Sequence, residues 1–414
     1  MSKLIGPFTQ LLTMKGLNLK GSLKDEQLEI LSDAGIVSDS EGKIMKIGSF
    51  GELSKEAAQN SWTIDRIEKR MVAFPGLVDC HTHLCWGGSR ARDYAMRIAG
   101  KSYIEIAKQG GGILDTVRST RAASNEILER SMLDRCAKLL KNGVTTVEVK
   151  SGYGLNKDEE LRHLKVIQSA GRKTKLDVVS TCLSAHMKPH DFNGTQSEYL
   201  KHCAGNILPE VKAQNLSKRV DIFVEESAFS IEEARVYLEA AKKLGFELTL
   251  HVDQFTAGSS LLAVELGAKS ADHLEASTQK EIEALAKSNT VAVALPGASL
   301  GLGCSFTPAR KLLDQGATLA IASDWNPGSA PMGDLLTQAA IFGTYQKLST
   351  AETFAALTFR AAKALGLEKT IGSIEEKKQC DLTAFPADDY RQVLYHQGQL
   401  RPAQVWKKGE QLHD

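Results

Sequence analysis

Eight short apolar runs rich in Val, Ile and Leu lie between about residues 76 and 325, and longer amphipathic stretches separate most of them. The runs are Leu77–Leu84, Val144–Lys150, Val178–Ser184, Val220–Glu225, Glu247–His251, Ser270–Leu274, Val291–Leu295 and Leu319–Ser323. Helical patterns fill the gaps, for example in SNEILERSMLDRCAKLLKNG and SIEEARVYLEAAKKLG, which both end at a glycine stop. Strands that alternate with helices predict an α/β fold, and eight of them favour a closed (β/α)₈ TIM-like barrel. An open doubly wound sheet has the same local pattern, so periodicity alone leaves closure undecided.

The two ends of the chain are rich in strand-like patterns. A hairpin around a Ser-Glu-Gly turn is predicted for the segment IVSDSEGKIMKIGSF, and no helical pattern of comparable strength precedes the first barrel strand. After a helical segment at Ala351–Leu367, strand-like patterns return in CDLTAFPA and AQVWKKGEQL. We therefore expect a small β-sandwich domain formed by residues 1–72 and 369–414, with the barrel over residues 73–368.

The charge balance argues against a polyanionic partner. The 414 residues carry a formal net charge of +1 with scattered basic side chains, whereas nucleic-acid and membrane surfaces are bound by basic patches. Seven cysteines without a C-x-x-C pair do not suggest a disulfide framework. No signal-peptide pattern is present, and no apolar run reaches the roughly 18 residues of a membrane span. We expect a cytoplasmic protein with a small-molecule partner, and the sequence allows but does not require a homodimer.

Histidines and aspartates collect where the predicted strands end. The first strand finishes in Asp-Cys-His-Thr-His, so His81 and His83 are two residues apart and can point to the same side. The fifth strand ends at His251, the sixth carries His273, and the eighth ends at Asp324. Although a lone histidine is most often a buried core residue, a cluster at the carboxyl ends of barrel strands predicts a catalytic zinc or iron site.

Two other patterns suggest different chemistry. The pentapeptide GASLG around Ser299 matches a nucleophile elbow, and Asp324 and His396 follow in the order of an esterase triad. The residues after Ser299 do not open a helix, however, and this assignment leaves the other histidines unused. Lys150 ends a predicted strand, where a carbamylated lysine would bridge two metal ions. Because no second ligand set is visible, we interpret Lys150 as a structural or supporting residue.

Several motifs together resemble the imidazolonepropionase family of the amidohydrolase superfamily. They cover most of residues 73–330 in the family's order and read FPGLVDCHTHLCWGGSR, QGGGILDTVRSTRAAS, VEVKSGYGL, LSAH, SADHLE, LPG and SDWNPGS. The resemblance implies a hydrolase that opens the ring of 4-imidazolone-5-propanoate to N-formimino-L-glutamate in histidine degradation. It also implies one zinc or iron ion per chain.

The resemblance assigns roles residue by residue. The implied metal ligands are His81, His83, His251 and Asp324. The implied substrate-binding residues are Arg90, Tyr103, Tyr153, His186, Gln254, Asn326, Gly328 and Ser329. Some relatives carry glutamate where this chain has Gln254, and a glutamine cannot accept a proton. We therefore expect Asp324 to accept the proton of the attacking water and His273 to hydrogen-bond the water or the developing oxyanion.

Two further hypotheses remain open at this point. A deaminase on the same scaffold would release ammonia from a nucleobase-like ring instead of opening it. A non-enzymatic relative would use the barrel only as an interaction scaffold, and the intact ligand set argues against that hypothesis.

Overall fold

The computed structural model describes residues 2–101 and 103–412, apart from the side chains of Tyr103, Ile104 and Ala107. The strands in chain order are β1 (Lys3–Leu12), β2 (Ile30–Ser38), β3 (Ile44–Ser49), β4 (Thr63–Arg66), β5 (Val72–Pro75), β6 (Leu77–Asp79), β7 (Val144–Lys150), β8 (Asp177–Ala185), β9 (Arg219–Ile222), β10 (Glu247–Val252), β11 (Ser270–His273), β12 (Val291–Ala294), β13 (Leu319–Ile321), β14 (Leu382–Phe385), β15 (Gln404–Lys407) and β16 (Glu410–Gln411).

The α-helices in chain order are α1 (Phe50–Asn60), α2 (Ala91–Ile98), α3 (Tyr103–Lys108), α4 (Ile113–Ala122), α5 (Asn125–Lys141), α6 (Lys157–Lys173), α7 (Gln196–His202), α8 (Leu208–Ala213), α9 (Ile231–Lys243), α10 (Ser260–Leu266), α11 (Gln279–Lys287), α12 (Pro296–Leu302), α13 (Ala309–Asp314), α14 (Leu335–Gln346), α15 (Thr350–Leu357), α16 (Phe359–Ala364) and α17 (Arg391–Tyr395). A 3₁₀ turn lies at Asp25–Gln27 and a π-helical turn at Cys203–Ile207. Within the described residues, no helix combines the length and apolarity that crossing a membrane requires.

Strands β6 to β13 form one parallel sheet in sequential order, and the sheet closes on itself. The closing contact is a parallel bridge between Thr82 and Trp325, which follow the first and last strands. The backbone N–H of His83 donates to the carbonyl of Trp325 at 3.0 Å, and that of Asp324 donates to the carbonyl of His81 at 3.0 Å. The prediction of a (β/α)₈ barrel is therefore confirmed, including the closure that periodicity left undecided.

Each of the eight predicted apolar runs overlaps a barrel strand, but the first and last strands are shorter than expected. Strand β6 ends at Asp79 and β13 ends at Ile321. Beyond these strand ends, a side chain replaces backbone pairing between the first and last strands. The Asp79 carboxylate accepts hydrogen bonds from the Ser323 N–H at 3.0 Å and the Ser323 hydroxyl at 2.5 Å. The residues that follow leave the regular strand path.

Serine caps start the two helices that the sequence showed most clearly. The Ser124 side chain accepts a hydrogen bond from Ile127 N–H at the start of α5. Ser230 forms a capping box with Glu233 at the start of α9. These bonds satisfy backbone N–H groups that have no partner inside the helix. The helices therefore begin where their sequence signals lie and leave the preceding loops at the cavity end of the barrel.

The chain ends meet in a second, mixed sheet. Its strand order is β16-β15-β14-β5-β1-β2-β3, and β4 pairs with β1. The predicted hairpin is present as the antiparallel pair β2–β3. Two features differ from expectation: helix α1 lies before the barrel, and the helical segment after residue 350 breaks at Thr358 into α15 and α16. The α1 pattern is short, and its buried face is limited to Phe50, Leu53 and Ala57.

Phe74 links the second sheet to the barrel helices. This fully buried residue of β5 packs its ring 4.3 Å from that of Phe354 on α15 and 5.9 Å from that of Phe385 on β14. One side chain therefore contacts a neighbouring strand of the sheet and a helix of the barrel. Removing it would leave a cavity on both sides of this contact.

We predict that Phe74→Ala lowers the free energy of unfolding by about 3–5 kcal/mol, because a buried ring is lost and a cavity remains. Urea denaturation followed by circular dichroism measures the change. The matched control is Tyr395→Ala, whose side chain is 78% exposed, and we expect it to stay within about 0.5 kcal/mol of the wild type. A loss below about 1 kcal/mol for Phe74→Ala would show that the two parts do not depend on this contact.

Candidate metal centre and active site

A cavity of about 640 Å³ opens at the carboxyl ends of the barrel strands. This is the end at which barrels of this architecture place their functional loops. Most of the side chains singled out from the sequence line it, namely His83, Arg90, Tyr153, His186, His251, Gln254, His273, Asp324, Asn326, Gly328 and Ser329. His81 is fully buried beside the cavity. The side chain of Tyr103 lies outside the described residues, so its predicted contact stays a prediction.

Three imidazoles and one carboxylate converge at the base of the cavity. His81, His83 and His251 each offer one nitrogen, and these nitrogens lie within 4.8 Å of one another. The Nε2 atoms of His83 and His251 are 3.4 Å apart. Asp324 Oδ1 lies 3.4 Å from His83 Nε2 and 3.6 Å from His81 Nε2. One cation at their centre would be within reach of all four side chains.

The donor atoms at this centre fit a metal ion. His81 Nε2 and Asp324 Oδ1 are buried, and neither has a hydrogen-bond partner among the described residues. A buried polar atom without a partner costs free energy, and a cation satisfies a nitrogen lone pair and a carboxylate oxygen together. Three imidazoles with a carboxylate are a donor set that zinc and related metals accept. The geometry therefore supports a metal-binding centre.

Carboxylates behind two of the imidazoles set their orientation. His81 Nδ1–H donates to Asp272 Oδ2 at 2.6 Å, and His251 Nδ1–H donates to Asp221 Oδ1 at 3.1 Å. Each bond places the proton on Nδ1 and turns the Nε2 lone pair toward the centre. Sequence reasoning assigned no role to Asp221 or Asp272. The signal that could have found them is an acidic residue inside an otherwise apolar barrel strand.

Burial keeps the imidazoles of His81, His251 and His186 neutral. Loss of hydration holds the pKa of His81 well below its usual range and lowers the pKa of His251 to about 4. It also lowers the pKa of His186 to about 3. A neutral imidazole has the free lone pair that a metal ligand needs. Burial therefore leaves the rings of His81 and His251 able to coordinate a metal ion at neutral pH.

Lys150 is a buried ammonium group. Its Nζ lies 2.8 Å from Glu148 Oε1, 2.8 Å from Asp221 Oδ2 and 3.8 Å from Asp272 Oδ2. Burial alone would lower the pKa of Lys150, but the three carboxylates outweigh burial and raise it. A protonated amine cannot be carbamylated, so the geometry supports the interpretation of Lys150 as a supporting residue and not as a metal bridge.

Left-handed backbone conformations direct several site residues into the cavity. His273, Leu274 and Asp324 have φ values of 88°, 71° and 50°. Such values are uncommon for residues with a Cβ, and they cluster at functional sites where the surrounding structure enforces them.

His273 Nδ1 lies 3.4 Å from Glu275 Oε1. Burial lowers the pKa of His273, but the Glu275 carboxylate outweighs burial and raises it.

Arg90 is held at the cavity wall by an aspartate that sequence reasoning missed. Its Nε donates to the Asp93 carboxylate, and its Nη1 donates to Thr116 Oγ1 at 3.4 Å. Asp93 also accepts a hydrogen bond from the N–H of Gly112 at 2.9 Å. A Cβ at Gly111 would lie 2.4 Å from Asp93 Oδ1. The glycine run therefore allows the backbone to close around the carboxylate that orients Arg90.

The glycine of the KSGYG motif shapes the wall formed by Tyr153 and His186. Gly152 has a φ of 104°, and its carbonyl accepts a hydrogen bond from His186 Nδ1–H at 2.9 Å. This bond leaves His186 Nε2 as the free ring nitrogen. The His186 ring stacks 5.5 Å from that of His83, and the Tyr153 ring lies 5.9 Å from the same ring. Both predicted substrate residues therefore border the imidazole of His83, one of the three that could hold a metal ion.

The loop after β13 is held by its own asparagine. Asn326 Nδ2 donates to the Asp324 carbonyl at 2.7 Å and to Ser329 Oγ at 2.9 Å. Asn326 Oδ1 accepts hydrogen bonds from the N–H groups of Gly328 and Ser329, both at 2.8 Å. A Cβ at Gly328 would lie 3.3 Å from Arg90 Nη1. The amide of Asn326 thus fixes the loop, and Gly328 leaves room for the guanidinium.

Close packing explains the GASLG pattern without a nucleophile elbow. Ser299 lies inside helix α12, although no helix was expected there, and its hydroxyl donates to Glu275 Oε1 at 3.2 Å. A Cβ at Gly297 would lie 2.6 Å from the Ser323 carbonyl, and one at Gly301 would lie 1.7 Å from the Ser329 carbonyl. Both glycines therefore let α12 approach the loop after β13.

Gln254 reaches the cavity from a loop with a fixed backbone. The preceding Asp253 has a φ of 52°, and its carboxylate accepts hydrogen bonds from the hydroxyls of Ser259 at 2.9 Å and Ser277 at 2.7 Å. On the other side, Glu225 Oε2 accepts a hydrogen bond from the Phe255 N–H at 2.9 Å. These contacts hold Gln254 between two anchored residues.

Comparison with known proteins places this geometry in a family. The amidohydrolase family model matches residues 72–412. An imidazolonepropionase of Fusobacterium nucleatum is 40% identical over 97% of this chain and 96% of its own length. One of Treponema denticola is 42% identical over 91% of each chain. The fold is also similar to a zinc-bound adenosine deaminase from Xanthomonas campestris, with a TM-score of 0.70 at 20% identity over 99% of this chain and 92% of that one. The chain therefore belongs to the amidohydrolase family and, within it, to the imidazolonepropionases.

Proposed function

We propose that the chain hydrolyses the ring amide of 4-imidazolone-5-propanoate to give N-formimino-L-glutamate, with one zinc or iron ion per chain. The observation that carries the proposal is the convergence of His81, His83, His251 and Asp324 at the base of a cationic cavity. The relatives at about 40% identity carry the name of this activity. The proposed partner is a small ring with a carboxylate arm.

The charges along the cavity wall support a carboxylate-bearing substrate. Arg90, Arg97 and Lys101 line it, whereas Asp324 is the single carboxylate among the described lining residues. Arg97 donates to the carbonyls of Gly301 at 2.6 Å and Gly328 at 3.4 Å. Because Asp93 takes Arg90 Nε and Thr116 takes one N–H of Nη1, the second N–H of Nη1 and the Nη2 group remain for a carboxylate, which a guanidinium can bind with two parallel hydrogen bonds.

The residues around the centre have different roles in ring opening. A bound divalent ion supplies a Lewis acid and lowers the pKa of water at this site. Asp324 is buried at 3.4 Å from His83 Nε2, where its carboxylate can accept a proton from the attacking water and pass it toward the ring nitrogen. The Glu275 carboxylate beside Nδ1 favours the imidazolium form of His273, in which Nε2–H can donate to the developing oxyanion.

The other cavity residues orient the ring. Arg90 binds the propanoate arm, and on the wall beside His83 the Tyr153 hydroxyl can donate a hydrogen bond and His186 Nε2 can accept one. Gln254 contributes a neutral amide that hydrogen-bonds the ring without taking part in proton transfer. Asn326 acts through the loop that presents Gly328 and Ser329. We keep Tyr103 as a further proposed contact.

The deaminase is the weaker candidate for this chain. Its support is similarity of fold at 20% identity, and one fold hosts many reactions. Ring opening and deamination share the attack of water on a ring carbon, and they differ in the bond that breaks. The products therefore distinguish the two reactions: the first gives a formimino amino acid, and the second gives ammonia.

We predict that Asp324→Asn lowers kcat by about 10²–10⁴-fold and changes KM much less, because asparagine keeps the shape but cannot accept a proton. Steady-state kinetics, with metal content measured on the same samples, checks this. Asp134→Asn, on the exposed face of α5, is the control and should behave as the wild type. Metal-loaded Asp324→Asn with more than about a tenth of the wild-type kcat would assign the proton transfer to another group, with His273 the first to examine.

We predict that the wild type opens 4-imidazolone-5-propanoate and strongly disfavours the same ring with an ethyl arm. Without the substrate carboxylate, the terminal N–H groups of the buried Arg90 guanidinium lose charge-assisted hydrogen bonds, at a cost of about 2–5 kcal/mol. Arg90→Gln should remove most of this discrimination, and Arg90→Lys should also weaken it, because a point charge cannot make the bidentate contact. The measurement is kcat/KM for both rings in each variant.

The control for this experiment is Arg92→Gln, which changes an exposed arginine in the first turn of α2, the helix that Arg90 precedes. It should leave the ratio of the two kcat/KM values unchanged. Discrimination below about tenfold in the wild type, or an unchanged ratio in Arg90→Gln, would refute the anchor assignment. Failure to form N-formimino-L-glutamate, together with ammonia release from a nucleobase, would replace ring opening by deamination.

A further inference from the structure

The three carboxylates around Lys150 each contact a different part of the metal-binding segment. Asp272 accepts the Nδ1–H of His81 at 2.6 Å, and Asp221 accepts the Nδ1–H of His251 at 3.1 Å. Both carboxylates also lie within 4 Å of the Lys150 ammonium, at 3.8 Å and 2.8 Å. One buried cation therefore contacts the two groups that orient two imidazoles.

The third carboxylate, Glu148, holds the backbone between His81 and His83. Its Oε2 accepts a hydrogen bond from the Thr82 N–H at 3.3 Å, and its carbonyl accepts one from the Thr82 hydroxyl at 2.6 Å. The backbone N–H of Lys150 donates to the Thr82 carbonyl at 2.9 Å. The lysine and its neighbour on β7 thus also fix the segment that carries both of these histidines.

We propose that Lys150 is a positioning residue whose ammonium group sets the metal affinity of the centre by holding Asp221, Asp272 and Glu148 in place behind the ligands. The proposal rests on the metal centre of the proposed function. Lys150 does not line the cavity, so it acts through the ligands and not on the substrate.

The physical reason is charge balance among side chains that are buried from solvent. Lys150, Glu148, Asp221 and Asp272 are all fully buried. If the ammonium were removed, three neighbouring carboxylates would face one another without the cation that now separates them, and buried like charges repel strongly. The carboxylates would then move away from one another and loosen their hold on His81 and His251. Loss of one such orienting partner typically weakens metal binding about 10–100-fold.

The test replaces Lys150 by methionine, which keeps the length of the side chain and removes its charge. Zn²⁺ affinity is measured by competition with a chromophoric chelator, without substrate. We expect Lys150→Met to bind Zn²⁺ at least about tenfold more weakly than the wild type, because two imidazoles lose their orientation together. The visible spectrum of the Co²⁺-loaded variant should also change, since the ligand geometry around the ion is altered.

The chain offers a matched control in Lys407 of β15. Its buried Nζ pairs at 2.6 Å with Asp381, just before β14 of the second sheet, and at 2.8 Å with Asp177 at the start of barrel strand β8. Lys407→Met also removes a buried ammonium from between two carboxylates. We expect this variant to lose stability and to bind Zn²⁺ with wild-type affinity, because its carboxylates contact none of the metal-binding histidines.

An affinity of Lys150→Met weakened by less than tenfold would overturn the proposal. An equal loss of affinity in Lys407→Met would also overturn it, because the effect would then be general destabilisation. If Lys150→Met does not fold, Glu148→Gln provides the test, because it keeps the side-chain volume and removes one ion pair of Lys150. This variant should bind Zn²⁺ more weakly than the wild type, and unchanged affinity refutes the idea. A wild type that binds Zn²⁺ but opens no ring would refute the proposed function alone.

Discussion

Two backbone hydrogen bonds join the segment after the first barrel strand to the segment after the last. Asp324 N–H donates to the His81 carbonyl, and His83 N–H donates to the Trp325 carbonyl, both at 3.0 Å. In an open sheet these segments would lie at opposite edges, far apart. Closure of the barrel and assembly of the metal centre are therefore the same structural event, because the bonds that close the sheet also bring His81 and His83 beside Asp324.

Several groups at and behind the centre would, by themselves, make the folded state less stable. Left-handed residues such as His273 and Asp324 are strained, and the buried charges of Lys150 and its carboxylates are costly to desolvate. A domain is stable by only a small margin, so the surrounding core must offset these costs. A ligand that binds only the folded chain adds stability by mass action. The site therefore relies on close packing elsewhere, such as the approach of α12 to the loop after β13.

The sequence predicts much of the fold because its strongest signals are local. Each apolar run became a barrel strand, and the two helices with serine caps and glycine stops formed at the expected places. The end of β6 at Asp79 was not predictable, since it depends on a hydrogen bond with Ser323, which follows the last barrel strand and is remote in the sequence. Helix α1 was missed because its apolar face is narrow, and the helix break at Thr358 carries no proline or glycine signal.

The candidate site also combines residues that the sequence reveals with residues that only the structure reveals. Side chains at strand ends, such as His251 and Asp324, are visible from their positions in the chain. The groups that orient them are visible only in three dimensions, because partners such as Asp221 and His251 lie on different strands. Asp93 lies only three residues after Arg90, but its contact with the N–H of Gly112 joins positions 19 residues apart and is visible only in the folded chain. Long-range pairing of this kind leaves no periodic trace in the sequence.

The proposed activity requires one metal ion bound by three imidazoles and Asp324. X-ray absorption spectroscopy of the zinc-loaded protein, with elemental analysis, measures both the ligand set and the stoichiometry. We expect one zinc per chain with nitrogen and oxygen neighbours at about 2.0–2.2 Å. Sulfur neighbours at about 2.3 Å, or a second metal at about 3.5–4 Å, would contradict a mononuclear centre held by His81, His83, His251 and Asp324.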